Sequence, residues 1–359
     1  MKIVVLVGAG RSGVDLLQSL FDEHPEICQF PGYFGFQQFW QKAKKEKNLE
    51  TLAKYFITDH PHFFDSRLNL IERHHMLGKD KNSFFLVDKD LFTKNFIELF
   101  NKTEINKKYL LNNLHYAYFL SLKKDISKKK IIILNLSHIS NIKVLEGLDY
   151  EVIYTIRNPL GSLSSGAKHW LEYKKGKHVS PWSLYFHIER IFNGLKSLIE
   201  MRVKLHVIKL ETLHQKNRDV MESLAKRINI KFDTCLSQST YHNKLWWGDQ
   251  LSGKDLNGIN PNFKNNIDLN FFYKKDLLLF QKYLKNFMEK YKYEMLEQKE
   301  NFYLSKYLPL KVEIKFWTRT FISMNIKEIL SIVYFWIKRV CLMQERIYKN
   351  INFPSPVGE

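Results

Sequence analysis

Val4-Val5-Leu6-Val7 runs straight into the glycine-rich turn Gly8-Ala9-Gly10-Arg11-Ser12-Gly13, and a helix-like apolar pattern follows at Leu16, Leu17, Leu20 and Phe21. Strand, tight glycine loop and helix together turn backbone N–H groups and a helix N-terminus toward an anionic phosphate. Arg11 adds a full positive charge inside the turn. The segment therefore predicts a site for a phosphorylated or sulfated nucleotide.

Two readings of the loop fail on their neighbours. Gly8, Gly10 and Gly13 fit a dinucleotide fingerprint, which next needs an apolar strand ending in an acid. The stretch His24-Pro25-Glu26-Ile27-Cys28-Gln29-Phe30-Pro31-Gly32 is too short and too broken by proline for a good strand, and no acid ends it. Gly8 and Gly13 also have the spacing of a nucleoside triphosphate loop. The lysine and hydroxyl that hold the phosphates and Mg²⁺ should follow, but Val14 and Asp15 stand there. A kinase or dehydrogenase is a distant alternative.

A second element lies at Glu151-Val152-Ile153-Tyr154-Thr155-Ile156-Arg157-Asn158-Pro159, with Ser165 eight residues after Arg157 and Trp170 beyond it. Residues 152–156 read as a buried parallel strand that Asn158-Pro159 stops before a helix. A strand's carboxyl end thereby delivers a guanidinium able to fork onto a phosphate dianion. A serine on the next helix adds a neutral donor.

Arg11-Ser12-Gly13 before Leu16-Leu17 and His24-Pro25, joined to Arg157-Asn158-Pro159 and Ser165, resembles the PAPS-dependent sulfotransferases. Their 5′-phosphosulfate loop carries Arg or Lys before Ser-Gly-Thr-Thr. Their 3′-phosphate element pairs a strand-end arginine with a helical serine. The resemblance covers roughly residues 1–265 and departs at Val14 and Asp15, where two threonines are usual.

Weaker similarities are Val207-Ile208-Lys209-Leu210-Glu211-Thr212-Leu213, which looks like the family's strand and Tyr-Glu-Asp-Leu segment, and Leu245-Trp246-Trp247-Gly248. The latter lies where a tryptophan loop closes over the adenine.

The resemblance implies an α/β fold, a doubly wound parallel sheet with the phosphate loop, helices on both faces and a C-terminal helical appendage. It implies 3′-phosphoadenylyl sulfate (PAPS) as donor and its 3′,5′-bisphosphate (PAP) as product. The binding residues would be Gly10, Arg11, Ser12, Gly13, Val14, Asp15, Arg157, Ser165 and Trp247, with no metal. Family members place a Lys-x-His element at the end of the strand before the 3′-phosphate strand. Asn135-Leu136-Ser137-His138 stands there, with asparagine for the lysine and the histidine shifted by one. His138 is the first candidate base, Asp88 the second, and Arg11 the residue for charge on the leaving phosphate. Asn135, Val14 and Asp15 leave open a fold member that binds PAPS or PAP without turnover. The acceptor, whether glycan, lipid or small molecule, is not legible.

Among the 359 residues, 45% are hydrophobic, enough for a full core in one domain at 1–300, with residues 33–80 an aromatic insertion on the acceptor side. Its histidines, His60, His62, His74 and His75, read as packing or surface residues. The 56 basic against 37 acidic residues give +19. That excess suits anionic ligands, but no nucleic-acid-binding motif accompanies it. Cys28, Cys235 and Cys341 are too few and too scattered for a disulfide framework, which fits a reducing compartment. With a core strand starting at residue 3, no signal peptide precedes it, and a cytoplasmic location is expected.

Clear strands are expected near 3–7, 131–134, 152–156 and 205–209, a short strand at Phe84–Asp88, and a helix around 107–122. The extension 301–359 carries an apolar helical stripe, Ile326, Ile329, Leu330, Val333, Ile337 and Val340, widened by Phe335, Trp336 and Leu342, with Lys338, Arg339 and Arg346 interspersed. Packing on the main domain or on a second protomer is expected for it, with an anionic membrane surface as the alternative. Pro354-Ser355-Pro356 and the end are expected to fray.

Overall fold

A computed structural model describes residues 1–100, 104–169, 171, 181–250, 258–265, 267–297, 305–323, 326–343 and 351–359; Trp170 and Arg346 lie outside these residues. The central strand β1 (Lys2–Gly8) is buried at every position from Ile3 onward. Successive strand residues point to opposite faces, so burial of all of them means that both faces of the sheet are covered.

The chain continues through α1 (Val14–Ser19), β2 (Ile27–Gln29), α2 (Phe36–Ala43), α3 (Leu49–Asp59), α4 (Pro61–Phe64), α5 (Lys89–Phe100) and α6 (Lys107–Ser121). Next come β3 (Ile131–Ser137), β4 (Tyr150–Ile156), α7 (Pro159–Lys168), α8 (Pro181–Glu200), β5 (Lys204–Lys209), α9 (Leu210–Gln215) and α10 (Asn217–Ile228). A ribbon of β6 (Thr240–Tyr241) and β7 (Lys244–Leu245) precedes α11 (Lys274–Lys290), α12 (Lys311–Ser323) and α13 (Ile326–Leu342).

The five long-range strands form one parallel sheet in the order β2-β3-β1-β4-β5. Strand order reverses around β1, and the carboxyl ends beside such a point are where open α/β sheets bind ligands. Register brings the two expected phosphate elements together. Gly8 pairs with Thr155, and the Ala9 amide donates to the Thr155 carbonyl at 3.0 Å. Arg157, two residues on, thus emerges beside the loop that starts at Gly8.

Three local expectations change. Ile27–Gln29 is a strand after all, a short edge element against β3. Phe84–Asp88 is not one; it makes only isolated bridges, Leu86 to Asp65 and the neighbouring Ser83 to Leu77. Its exposed Phe84 and Leu86 leave too little buried face to hold a ladder. Residues 33–80 fold into helices over an aromatic core. Phe30 and Phe63 stack at 5.0 Å, Phe56 and Phe92 at 5.3 Å, and His60 lies flat on Phe63 at 5.2 Å.

The terminus does not fray. Val357 donates its amide to the Val207 carbonyl at 2.8 Å and Pro356 bridges alongside β5. Phe353 packs against Tyr291, and Glu359 accepts from Thr212 Oγ1 at 2.7 Å. These contacts draw the last residues onto the sheet edge. Helix α13 packs on α8 and α12, but not through the expected stripe. Ile332, Phe335, Arg339 and Met343 face inward, whereas Ile326, Leu330, Val333 and Ile337 are exposed.

Burial also sets an acid limit on the fold. It holds His60, His62, His115 and His214 near a pKa of about 4 and His74 near about 3, below the ordinary 6.5. Between those values the unfolded chain takes up protons that the folded chain refuses, so stability falls as pH drops through that window. Glu151 continues the trend. Burial opposes its charge, but Lys2, Lys204 and His206 outweigh it and hold the carboxyl at about 2. That stabilisation is lost as pH falls from about 4.5 toward 2. Burial pushes the Glu72 carboxyl up to about 8, which opposes the histidines between about pH 4.5 and 8 but not below. The melting temperature is therefore expected to fall most clearly below pH about 4.5, and one unchanged from pH about 4.5 to about 3 would contradict this burial pattern.

Candidate functional site

Beyond the carboxyl ends of β1, β3 and β4 lies an open cleft of about 1220 Å³. Its walls come from the 8–15 loop, Ser137, Arg157, the α7 residues Ser164, Ser165 and Lys168, the α8 residues His187 and Arg190, then Trp246, Gly248 and Asp249, and residues from 258–265 and 267–270. Residues 33–80 contribute none of these walls. They reach the cleft only from behind, where Trp246 donates Nε1–H to the Glu72 carbonyl at 2.6 Å.

Close packing shapes the loop. Gly13 has φ +86°, and a Cβ there would stand 2.4 Å from Leu210 Cδ1, so only glycine fits. Arg11 takes a left-handed φ of 48°. Ser12 is buried with its hydroxyl 2.8 Å from Thr155 Oγ1, so it braces the loop against β4. Ser162 Oγ donates to the Gly10 carbonyl at 2.7 Å, which keeps that carbonyl oriented away from an incoming anion.

Arg11, Ser165 and Arg157 converge. Arg11 Nε donates to Ser165 Oγ at 3.3 Å, and Arg157 Nη1 donates to the Arg11 carbonyl at 3.3 Å. Arg157 Nε donates to Asn265 Oδ1 at 2.8 Å, and Asn265 in turn donates to Glu211 at 2.5 Å. Glu211 also accepts the Asn158 amide at 2.8 Å, so one carboxylate ties β4's end to the 258–265 segment. The Arg157 guanidinium lies 5.3 Å from the Phe263 ring, and Phe263 stacks on His214 at 4.4 Å. Burial, partly offset by Glu211, lowers the Arg157 pKa to about 10. It stays charged, with little solvent to compete for its hydrogen bonds.

The loop's acids were not foreseen as a set. Arg11 Nη1 donates to Asp249 Oδ2 at 2.6 Å. Burial works against the Arg11 charge, but the Asp249 pair outweighs it and raises the pKa. Asp15 lines the cleft, receiving Asn135 Nδ2 at 3.2 Å. Burial and the neighbouring Asp249 raise its pKa. Asn135 also donates to Gln18 Oε1 at 2.7 Å, so the asparagine in the lysine position anchors Asp15 where a cation would have sat.

Other expected site residues lie elsewhere. Asp88 is exposed and caps α5, its Oδ1 accepting the amides of Asp90 and Leu91 at 2.9 Å. His138 stands at the end of β3, but its Nδ1 accepts from Arg190 Nε at 2.7 Å. Arginine can only donate, so the neutral ring carries its proton on Nε2 and has no lone pair left for an acceptor's proton. Burial and Arg190 lower its pKa to about 4. Trp247 turns away from the cleft, donating Nε1–H to Gly78 O at 2.6 Å under Lys81; Trp246 is the tryptophan in the wall.

The walls belong to an α/β protein with a five-stranded parallel sheet, and its cleft gathers Arg11, Arg157, Lys168, Arg190 and Lys264. No family model matches the chain, and no curated protein does. Among solved structures, the chain is similar to the sulfotransferase domain from the curacin biosynthetic pathway. Identity is 14%, over 89% of this chain and 97% of that one, with a TM-score of 0.39. It is also similar to the sulfotransferase domain from the Synechococcus PCC 7002 olefin synthase, with 13% identity, 82% and 95% coverage and a TM-score of 0.40. A further similar structure is retinol dehydratase in complex with androsterone and the inactive cofactor PAP, with 12% identity, 84% of each chain and a TM-score of 0.34.

Proposed function

We propose that the protein is a sulfotransferase, moving a sulfuryl group from PAPS to a hydroxyl or amine of its acceptor. The convergence of Arg11, Ser165 and Arg157 in one cleft carries this reading. The loop amides and Arg11 hold the 5′-phosphosulfate, Arg157 and Ser165 hold the 3′-phosphate, and the Phe263–His214 pair offers a flat face to the purine. With valine and aspartate after Gly13, the loop binds its donor without Mg²⁺.

Sulfuryl transfer breaks the bond from sulfur to the bridging oxygen, and negative charge grows on that oxygen as the acceptor attacks from the far side. Arg11 and the amides are aimed at that charge. A bound donor competes with Asp249 for Arg11 Nη1. The carboxylate so released lies beside the reacting group and takes the acceptor's proton, the role first expected of His138 or Asp88.

Asp15 resolves the departure from the family pattern. Burial and Asp249 raise its pKa and so favour the protonated form, whose O–H donates to the donor's phosphate as the family threonine would. Deprotonation removes that donor and adds repulsion, so affinity for PAP is expected to fall as pH rises through the Asp15 pKa. Asp15→Asn keeps an N–H donor and is expected to flatten the profile. An identical pH profile in Asp15→Asn and the parent would remove Asp15 from this role.

The reaction is tested by incubating the protein with PAPS and panels of hydroxyl and amine acceptors while following acceptor-dependent PAP release. Asp249's hold on Arg11 favours a second reading, a module that binds PAPS or PAP without turnover. PAP binding with no release for any acceptor would support that module, and release undiminished in Asp249→Asn would take the base away from Asp249.

A further inference from the structure

We propose that α13 docks the protein on an anionic lipid surface through its outward face, whatever reaction the cleft performs. The helix is clamped from within. Arg339, 1% exposed, donates Nε–H to Glu313 Oε1 at 2.7 Å and Nη2–H to Oε2 at 3.0 Å. It also reaches the carbonyls of Lys306 and Leu308 at 2.8 and 2.9 Å. The face opposite this clamp is therefore presented on a fixed support.

That face is apolar where a solvent-facing helix should be polar. Ile326, Leu330, Val333 and Ile337 fall on one stripe and are 73, 65, 44 and 49% exposed. Tyr334, 48% exposed, widens it. Among the described residues no helix is long and apolar enough to cross a membrane. A helix with this pattern lies in the plane of the interface.

Charge selects the occupant. Exposed Lys327 and Lys338 border the stripe, and the Lys338 ammonium sits 5.5 Å from the Tyr334 ring. Arg339 is already neutralised by Glu313, and the helix sequence holds one acid, Glu328. Two copies paired antiparallel through the stripe would set Lys327 of one against Lys338 of the other, within chains of formal charge +19. That arrangement repels itself, whereas an anionic bilayer attracts both lysines and takes up the stripe.

The test is co-sedimentation of the full chain with vesicles of mixed phosphatidylglycerol and phosphatidylcholine, against pure phosphatidylcholine. Binding is expected to the mixed vesicles, weakening with salt. It should drop more than about tenfold in the L330S/V333S/I337S triple variant and in K327E/K338E. The second variant changes only exposed charges, so an unchanged melting temperature identifies its loss of binding as a surface effect. No binding to mixed vesicles, or binding that both variants retain, overturns the proposal. So does a dimer in solution that the triple variant converts to monomer, since a second copy would then be the occupant.

Discussion

Arg11→Ala is expected to lower turnover by about two to three orders of magnitude. Arg11 lies within the loop, and its Nη1 and Nε are already oriented by Asp249 and Ser165. A donor aimed at charge that develops only in the transition state costs little in ground-state affinity when removed. The variant also removes the guanidinium that donates to Asp249 Oδ2 at 2.6 Å, so some weakening of PAP binding through repulsion is expected besides. Single-turnover measurement separates the two effects. A variant that loses affinity alone, with the transfer step intact, would mean that Arg11 serves the 3′-phosphate and not the transferring group.

Arg157→Ala is expected to act in the opposite proportion, weakening PAP by about 2–5 kcal/mol, a loss of affinity of roughly thirty- to several-thousand-fold. The guanidinium is buried and held by Asn265 and the Arg11 carbonyl, so it meets a phosphate without first being ordered. Truncation removes that charge from a site with little water to replace it. It also leaves Asn265 without a partner on the cleft side, and the relay to Glu211 loosens. Calorimetric titration with PAP reads the loss directly; an affinity within about threefold of the parent would place the 3′-phosphate elsewhere.

The frame of this site was legible because it rests on local chemistry. β-Branched runs at 3–7 and 152–156 made the strands unambiguous, and glycines at positions crowded by Leu210 and Thr155 announced the loop. Arg157 and Ser165 could be named because an apolar strand, Arg-Asn-Pro and a serine eight residues on resemble the sulfotransferases' 3′-phosphate element. The acid set was not legible. Asp249 reaches Arg11 across 238 positions, and Asn265 reaches Arg157 across 108. No periodicity encodes such meetings. Asp88 was misleading because an acid after an apolar run looks the same whether it ends a strand or caps a helix. His138 was misleading for a different reason: its place after β3 was right, but the Arg190 that occupies its lone pair comes from α8. On α13 the stripe was legible as apolar, but which side packs on α8 and α12 was not, since the inward face contains an arginine that Glu313 and the carbonyls of Lys306 and Leu308 make tolerable.

The most direct test of the site is the thermal shift produced by PAP compared with AMP and with ATP–Mg²⁺. A ligand that binds only the folded chain adds about 2.7 kcal/mol at a hundredfold excess over its Kd. PAP is expected to raise the melting temperature with or without Mg²⁺, and AMP, lacking the 3′-phosphate assigned to Arg157 and Ser165 in the proposal, far less. Equal stabilisation by AMP, or a larger Mg²⁺-dependent shift with ATP, would contradict the sulfotransferase reading.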